Sequence, residues 1–331
     1  MIPRRVLAPV ALAVAVVATG ACGGDSDPTA AVAPDPAAAS PPPAAAPVTA
    51  ESCGRSFTYQ APPERIVVGH PTTAATLVAL GVGDKVVGWT GGSLGPAPAQ
   101  VPNATEISSQ YQAPREAVLA ARPDLFLTND ENQLSGESGG LGYGDLGAAG
   151  GSAYVLGAYC LGAPGATDLE TVYRDVANVA RIVGRDARGD ELVGQMRERV
   201  AAARALGSGR PPLAAALVQV FDGKLFALTG SYYKMVLDAI GATSVFDGQG
   251  LEGNFSEISA ERVLTLSPAA VFVIYDSEET RESQLDEARA LLASSPAVQQ
   301  GRVVGLLNAT TSAGGVSLVD AVEAAARGAF G

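Results

Sequence analysis

His70 is the single histidine of the chain, and it follows the short β-branched run Arg65-Ile66-Val67-Val68-Gly69. Its solitude narrows the available chemistry. A zinc site built from several histidines is impossible, and no cysteine cluster takes their place. What remains for His70 is a single axial metal bond, a hydrogen bond to a small molecule, or a satisfied structural role.

Two G-x-S-x-G matches, Gly91-Gly-Ser93-Leu-Gly95 and Gly136-Glu-Ser138-Gly-Gly140, raise the question of a serine nucleophile. A nucleophile elbow needs a strand before the serine and a helix directly after it. Ser93 is followed by Pro96 and Pro98, and Ser138 stands in a glycine-rich stretch. The only base, His70, precedes both serines, against the Ser, Asp, His order of α/β-hydrolases. In a chain with 39 glycines these are chance matches. No phosphate loop or dinucleotide fingerprint is present either, so the expectation is a protein without catalytic residues or an intrinsic cofactor.

The aromatic residues carry more information. They make up only 5% of the chain, yet several fall just past strand-like runs or in loops. In the first half these are Trp89, with Thr90 beside it, Tyr111 and Tyr143; in the second they are Phe221, Tyr232, Tyr233 and Tyr275. Flat, rigid side chains with polar tips suit a large amphipathic ligand. With His70 they form the candidate binding set.

The elements that would position this set alternate between strand and helix. Arg65–Gly69 reads as a strand, Thr72–Leu80 as a helix closed by Gly81, Val86–Trp89 as a strand, Pro114–Ala121 as a helix, and Leu125–Leu127 and Ala153–Leu156 as strands. Two helices follow, Asp168–Val183 and Ala187–Leu206. The pattern then restarts after Pro211-Pro212 with strands at Ala214–Val220, Ser244–Phe246, Ala270–Ile274 and Val303–Leu306. Helices are expected at Tyr232–Ile240, Ser259–Leu266, Gln284–Ala293 and Leu318–Phe330. The fold class is therefore α/β, two lobes with parallel-type sheets, and ligands of such sheets bind beyond the carboxyl ends of the strands, here in a cleft between lobes.

The N-terminus supplies an address. Arg4 and Arg5 precede the apolar run Val6–Ala18, which closes on Thr19, Gly20, Ala21 and Cys22. The run is shorter than the ~20 residues that span a bilayer, and its order of charged, apolar and small residues is that of an export signal. Residues 1–21 are expected to be a signal peptide and Cys22 a diacylated N-terminus of the bacterial lipobox type. The Pro/Ala-rich stretch 22–50 is a semi-rigid spacer. Beyond it we expect a first lobe over 51–186, a bridging helix at 187–207 and a second lobe over 208–331. The remaining cysteines, Cys53 and Cys160, pair as a disulfide in an oxidising compartment. A formal net charge of −12 excludes nucleic acid as a partner and makes adsorption to anionic lipid unfavourable, which leaves the covalent anchor as the route to the membrane.

Several segments carry a resemblance: Pro63-Glu-Arg-Ile-Val-Val, Ala79-Leu-Gly-Val-Gly-Asp-Lys-Val-Val-Gly and Ala120-Ala-Arg-Pro-Asp-Leu-Phe-Leu in the first half. In the second half they are Gly241-Ala-Thr-Ser-Val-Phe, Phe255-Ser-Glu-Ile-Ser-Ala-Glu-Arg-Val-Leu and Leu266-Ser-Pro-Ala-Ala-Val-Phe-Val-Ile. In order and spacing the chain resembles the class III substrate-binding proteins of ABC importers, the family that captures iron-siderophore complexes, haem and cobalamin. The resemblance implies a monomeric receptor, anchored by lipid on the outer face of the bacterial cytoplasmic membrane, that hands an iron chelate to an ABC permease. It also implies permease-docking glutamates; Glu261 matches in the second lobe, whereas the first-lobe position is read as Ala75, which puts conventional docking in question. A protein of the envelope that acts through protein partners is the rival reading. Haem-binding relatives offer a tyrosine just after the second strand, where this chain has Trp89-Thr90-Gly91-Gly92, so haem ranks behind a ferric siderophore. The basic residues near strand ends are few, namely Lys224, Lys234, Arg115 and Arg281, which favours a hydroxamate-like chelate over a tris-catecholate.

Overall fold

In the computed structural model the described residues are 46–91, 101, 103–161, 168–251, 253–312 and 314–331. The expected signal peptide, Cys22, most of the spacer and Ser93 lie outside them. Among the described residues no helix is long and apolar enough to cross a membrane.

The chain opens with an antiparallel hairpin, β1 (Val48–Ser52) and β2 (Arg55–Tyr59). Its turn is Cys53-Gly54, with both residues at positive φ (49° and 71°), the geometry that matches the twist of the flanking strands. The first α/β lobe follows as β3 (Ile66–Val68), α1 (Ala74–Ala79), β4 (Val86–Thr90), β5 (Thr105–Ser108), α2 (Arg115–Ala120), β6 (Leu125–Asp130), α3 (Tyr143–Ala148) and β7 (Ser152–Tyr159). Its sheet is parallel with the order β5-β4-β3-β6-β7. The sheet is doubly wound, and the chain reverses direction between β3 and β6. Two helices, α4 (Leu169–Ile182) and α5 (Asp186–Ala205), lead to the second lobe. In α4, Val172, Val176 and Val179 with Tyr173 and Ala180 form the buried stripe expected of its apolar spacing.

The second lobe runs β8 (Leu213–Phe221), β9 (Lys224–Leu228), α6 (Ser231–Ile240), β10 (Ala242–Ser244), β11 (Phe255–Ile258), α7 (Ala260–Leu266), β12 (Ala270–Tyr275), α8 (Glu278–Leu291), α9 (Pro296–Gln299), β13 (Val303–Leu307), α10 (Asn308–Thr311) and α11 (Leu318–Phe330). The strands β10, β8, β12 and β13 are parallel and repeat the order of the first lobe. The departure is β9, which turns back on β8 as an antiparallel hairpin and pairs with β11 in turn. The expected strand at Ser244–Phe246 is shifted to Ala242–Ser244, where it pairs with the start of β8; Phe246 packs in the core instead.

One core cluster spans both lobes. It contains Ile66, Val68, Leu125 and Leu127 from the first sheet, Ala215, Leu217, Phe272 and Ile274 from the second, and residues of α4, α5, α6 and α11 between them. Polar contacts fasten the same seam. Asn129 Nδ2 donates to Ser312 O at 2.7 Å, and Thr76 Oγ1 accepts from Val316 N at 3.4 Å. Gly315 lies so close to α1 that a Cβ there would stand 2.3 Å from Thr76 Oγ1.

Candidate functional site

Strand alternation decides which residues reach the mouth of this seam. In β3 the shared core takes Ile66 and Val68, and two residues on is His70. In β6 it takes Leu125 and Leu127, then Asn129. In β8 it takes Ala215 and Leu217, then Gln219 and Phe221; in β12, Phe272 and Ile274, then Asp276. Four polar side chains, His70, Asn129, Gln219 and Asp276, thus continue the inter-lobe core face beyond it, at the crossing points where each sheet changes direction. Ligands of doubly wound sheets bind at such points.

On the first-lobe wall, His70 is 6% exposed. Its Nδ1 accepts the backbone N–H of Thr72 at 3.2 Å and lies 2.7 Å from Thr72 Oγ1. Burial lowers its pKa to about 4, so the ring is neutral at pH 7. With Nδ1 serving as the acceptor, the proton resides on Nε2, which makes His70 a hydrogen-bond donor rather than a metal ligand in this arrangement. Behind it, Gly69 O accepts from Thr90 Oγ1 (3.0 Å) and Gln133 Nε2 (2.7 Å), and the same Nε2 donates to Tyr111 O at 2.9 Å. Gln133 therefore ties the end of β3 to the Tyr111 loop. Tyr111 borders a depression of about 380 Å³ with Gln110, Gln112, Pro114, Glu137 and Ser138.

On the second-lobe wall, Phe226 pairs across the ladder with Gln219, and its ring stacks on Phe255 with centroids 4.5 Å apart and planes 12° from parallel. Phe255 is 48% exposed and Phe221 59%. Aromatic surface is thus left open beside these polar strand ends. Beside them Asp276 accepts from Gln219 Nε2 (2.9 Å), Asn308 Nδ2 (3.2 Å) and Gln284 Nε2 (3.2 Å).

With this geometry established, comparison with known proteins is decisive at the level of family. The sequence profile described as "Periplasmic binding protein" matches residues 66–309. The chain belongs to the periplasmic binding protein family. No curated protein matches it in sequence. Among solved structures, a periplasmic binding protein from Veillonella parvula superposes with a TM-score of 0.73 at 19% identity, covering 86% of this chain and 97% of that one. An ABC-type Fe3+-hydroxamate transport system protein from Saccharomonospora viridis gives 0.69 at 25% identity over 86% and 99%. A haem-binding protein from Roseiflexus gives 0.64 at 22% over 81% and 98%. The resemblance to class III receptors and the two-lobed α/β fold both hold.

Within this periplasmic binding fold, several residues of the expected binding set stand elsewhere. Trp89 and Thr90 lie inside β4 rather than past its end; Trp89 packs in the shared core and Thr90 is spent on Gly69 O. Tyr275 belongs to the opposite face of β12, where it packs with Leu285 and its hydroxyl donates to Glu278 at 2.8 Å. Burial there pushes its pKa up to about 12. Tyr233 is buried in the core on α6; the side chain of Tyr232 lies outside the described residues.

Tyr143 stacks on Phe57 (5.5 Å), lies under Arg55 (4.5 Å) and donates to Glu131 at 3.1 Å. Glu131 also accepts from Arg55 and from Leu161 N, close to the disulfide that joins Cys53 to Cys160. This group fastens the opening hairpin. The sulfurs and a Glu131 oxygen lie within 4.8 Å of one another, but in the disulfide there is no thiolate to bind a metal. Ser138 stands exposed in a short 3-10 turn at φ 51°, with no following α-helix of the nucleophile-elbow kind. The one histidine is engaged with Thr72.

Phe226, Phe255, Asn129, Gln219 and Asp276 were not in the expected set. A signal existed for one of them, Phe226. Asp222-Gly223, at φ 49° and 75°, is a hairpin dipeptide that folds Lys224–Leu228 back on β8 and brings Phe226 opposite Gln219. The element order also re-aligns the halves. The helix before β12 is α7, whose second residue is Glu261; the helix before β6 is α2, whose second residue is Glu116. Ala75 lies on α1, which follows the first strand and corresponds by order to α6. Reading Ala75 as the partner of Glu261 is therefore corrected to Glu116, because Pro114-Arg-Glu-Ala-Val-Leu and Ser259-Ala-Glu-Arg-Val-Leu occupy equivalent places. Both carboxylates are exposed and held below the usual range, each first by its own backbone N–H in the first turn of its helix, then by Arg115 for Glu116 and Ser259 for Glu261.

Proposed function

We propose that this protein is an extracytoplasmic solute receptor that binds a ferric siderophore between its lobes and delivers it to an ABC importer, tethered to the membrane through lipid on Cys22. The observation that carries the reading is the crevice wall itself: four polar side chains at the two topological crossing points, flanked by the open Phe226–Phe255 stack. Such a wall suits a large amphipathic complex, with apolar area supplying affinity and few polar groups fixing orientation. Iron needs no protein ligand when the chelator fills its coordination sphere. The tautomer of His70 favours a siderophore over haem, since an Nε2 that carries a proton donates a hydrogen bond but offers iron no lone pair. The Saccharomonospora protein, named for Fe3+-hydroxamate, supports the same order of preference.

Glu116 and Glu261 support delivery. One acidic residue at the same place on each lobe gives a matched pair of exposed charges for a permease with basic residues at the corresponding spacing. The reading involves no catalysis; the protein's work is capture and presentation.

Isothermal titration calorimetry of the purified chain against a ferric trihydroxamate, a ferric tris-catecholate and haem tests this reading. Saturable heat with a ferric siderophore at micromolar concentration or below is expected. Absence of heat with all three overturns it.

A further inference from the structure

The charge of the crevice indicates which chelates it accepts. Four basic residues stand near strand ends of the two lobes, and each is held by acids of the protein itself. Lys224 Nζ lies 2.9 Å from Glu257 Oε2, and Lys234 is 2.9 Å from Asp238 and 3.8 Å from Asp247. Arg115 is paired with Glu116 and Asp145, and Arg281 with Glu282. The segments 92–100 and 162–167 contain no Lys or Arg in their sequence. Among the described residues the crevice thus offers none of these four as a free cation to an anionic complex.

It does have a spare anion. Asp276, exposed at the end of β12, forms no ion pair among the described residues. Its carboxylate is held by three neutral carboxamides: Gln219 and Asn308 donate to Oδ1, and Gln284 donates to Oδ2. Amide donors orient a carboxylate without cancelling its charge. They also fix their own direction. Asn308 must turn Nδ2 toward Asp276, which leaves its Oδ1 buried without a donor among the described residues. The group is therefore rich in acceptors, carries a net negative charge, and stands beside the Phe226–Phe255 stack.

We propose that Asp276 is the anchor for a cationic group on the bound chelate, so that the receptor selects ferric chelates bearing a primary ammonium arm over neutral or anionic ones. This rests on the crevice being the ferric-siderophore site. The three carboxamides hold the carboxylate in place for the ammonium, and the aromatic pair covers the apolar body of the ligand.

The test compares a ferric linear trihydroxamate ending in a free primary amine with the same chelate N-acetylated, titrated into the full chain and into Asp276→Asn. The wild-type protein is expected to bind the amine form about tenfold more tightly. In Asp276→Asn the preference for the amine form is lost and the two affinities converge, while an unchanged thermal melt reports an intact fold. Equal affinities in the wild type overturn the proposal, as does discrimination that survives in Asp276→Asn. Equal loss of both chelates in the variant also overturns it, since Asp276 would then support the wall rather than read charge. Binding of neither chelate by the wild type removes the siderophore reading, and the proposal falls with it.

Discussion

Asn129 and Ser312, 183 residues apart in sequence, meet across the seam between lobes, where the Asn129 amide donates to the Ser312 carbonyl at 2.7 Å. Their contact closes the core between two sheets that share it, and Gly315 against Thr76 continues the same line. The lobes are therefore packed together rather than hinged on a flexible strap. A Cβ at Gly315 would collide with Thr76 Oγ1, so Gly315→Ala should destabilise the protein by about 1–3 kcal/mol. Thr76→Ala in the same chain should recover much of that loss. Urea unfolding of the single and double variants measures the coupling, and strictly additive effects would contradict this view of the seam.

Two buried titratable groups should give opposing pH dependence. Asp175 is 4% exposed; its Oδ1 accepts from Tyr154 at 2.6 Å, its Oδ2 has no hydrogen-bond partner among the described residues, and burial raises its pKa to about 7. Between pH 4 and 7 the native state holds a proton that the unfolded chain releases, so this group's contribution falls as pH rises, by about 4 kcal/mol in all. For His70, lowered to about 4, the unfolded chain holds the extra proton between pH 4 and 6.5. Its contribution rises with pH over that window, by about 3 kcal/mol. Unfolding free energies of Asp175→Asn and His70→Gln, each subtracted from wild type across pH 4–8, should show these opposite slopes.

The Cys53–Cys160 disulfide closes a span of 107 residues. In the chain-entropy model its reduction should cost about 4–5 kcal/mol. Equilibrium unfolding with and without a dithiol reductant checks this, and a midpoint unaffected by reduction would contradict it.

Phe255 is half exposed, so its removal should spare the fold and weaken the ligand. Phe255→Ala is expected to reduce chelate affinity about tenfold, the value of one aromatic contact. Calorimetric titration beside a thermal melt separates loss of contact from loss of structure.

Much of this architecture was legible in the residues. Runs such as Ala270–Ile274 and the restart after Pro211-Pro212 identify parallel α/β lobes because buried strands are apolar on both faces. The binding wall was less legible for the same reason: when both faces are apolar, nothing local says which one Tyr275 or Asp276 will join. The structure puts Tyr275 against α8 and Asp276 toward the seam, a choice set by register with β8 and β13. Phe226 depended on recognising Asp222-Gly223 as a hairpin turn. Glu116 depended on aligning the halves by the helix that precedes each central strand.

Iron chelates are proposed to bind in the crevice between the lobes. Trp89, the single tryptophan, lies in β4 with its ring in the shared core just below the first-lobe wall. Titrating its fluorescence with an iron-loaded trihydroxamate should give saturable quenching at micromolar concentration or below, lost when the Phe226–Phe255 stack is removed. An emission spectrum unchanged through the titration, or quenching that persists in Phe226→Ala/Phe255→Ala, would contradict the account.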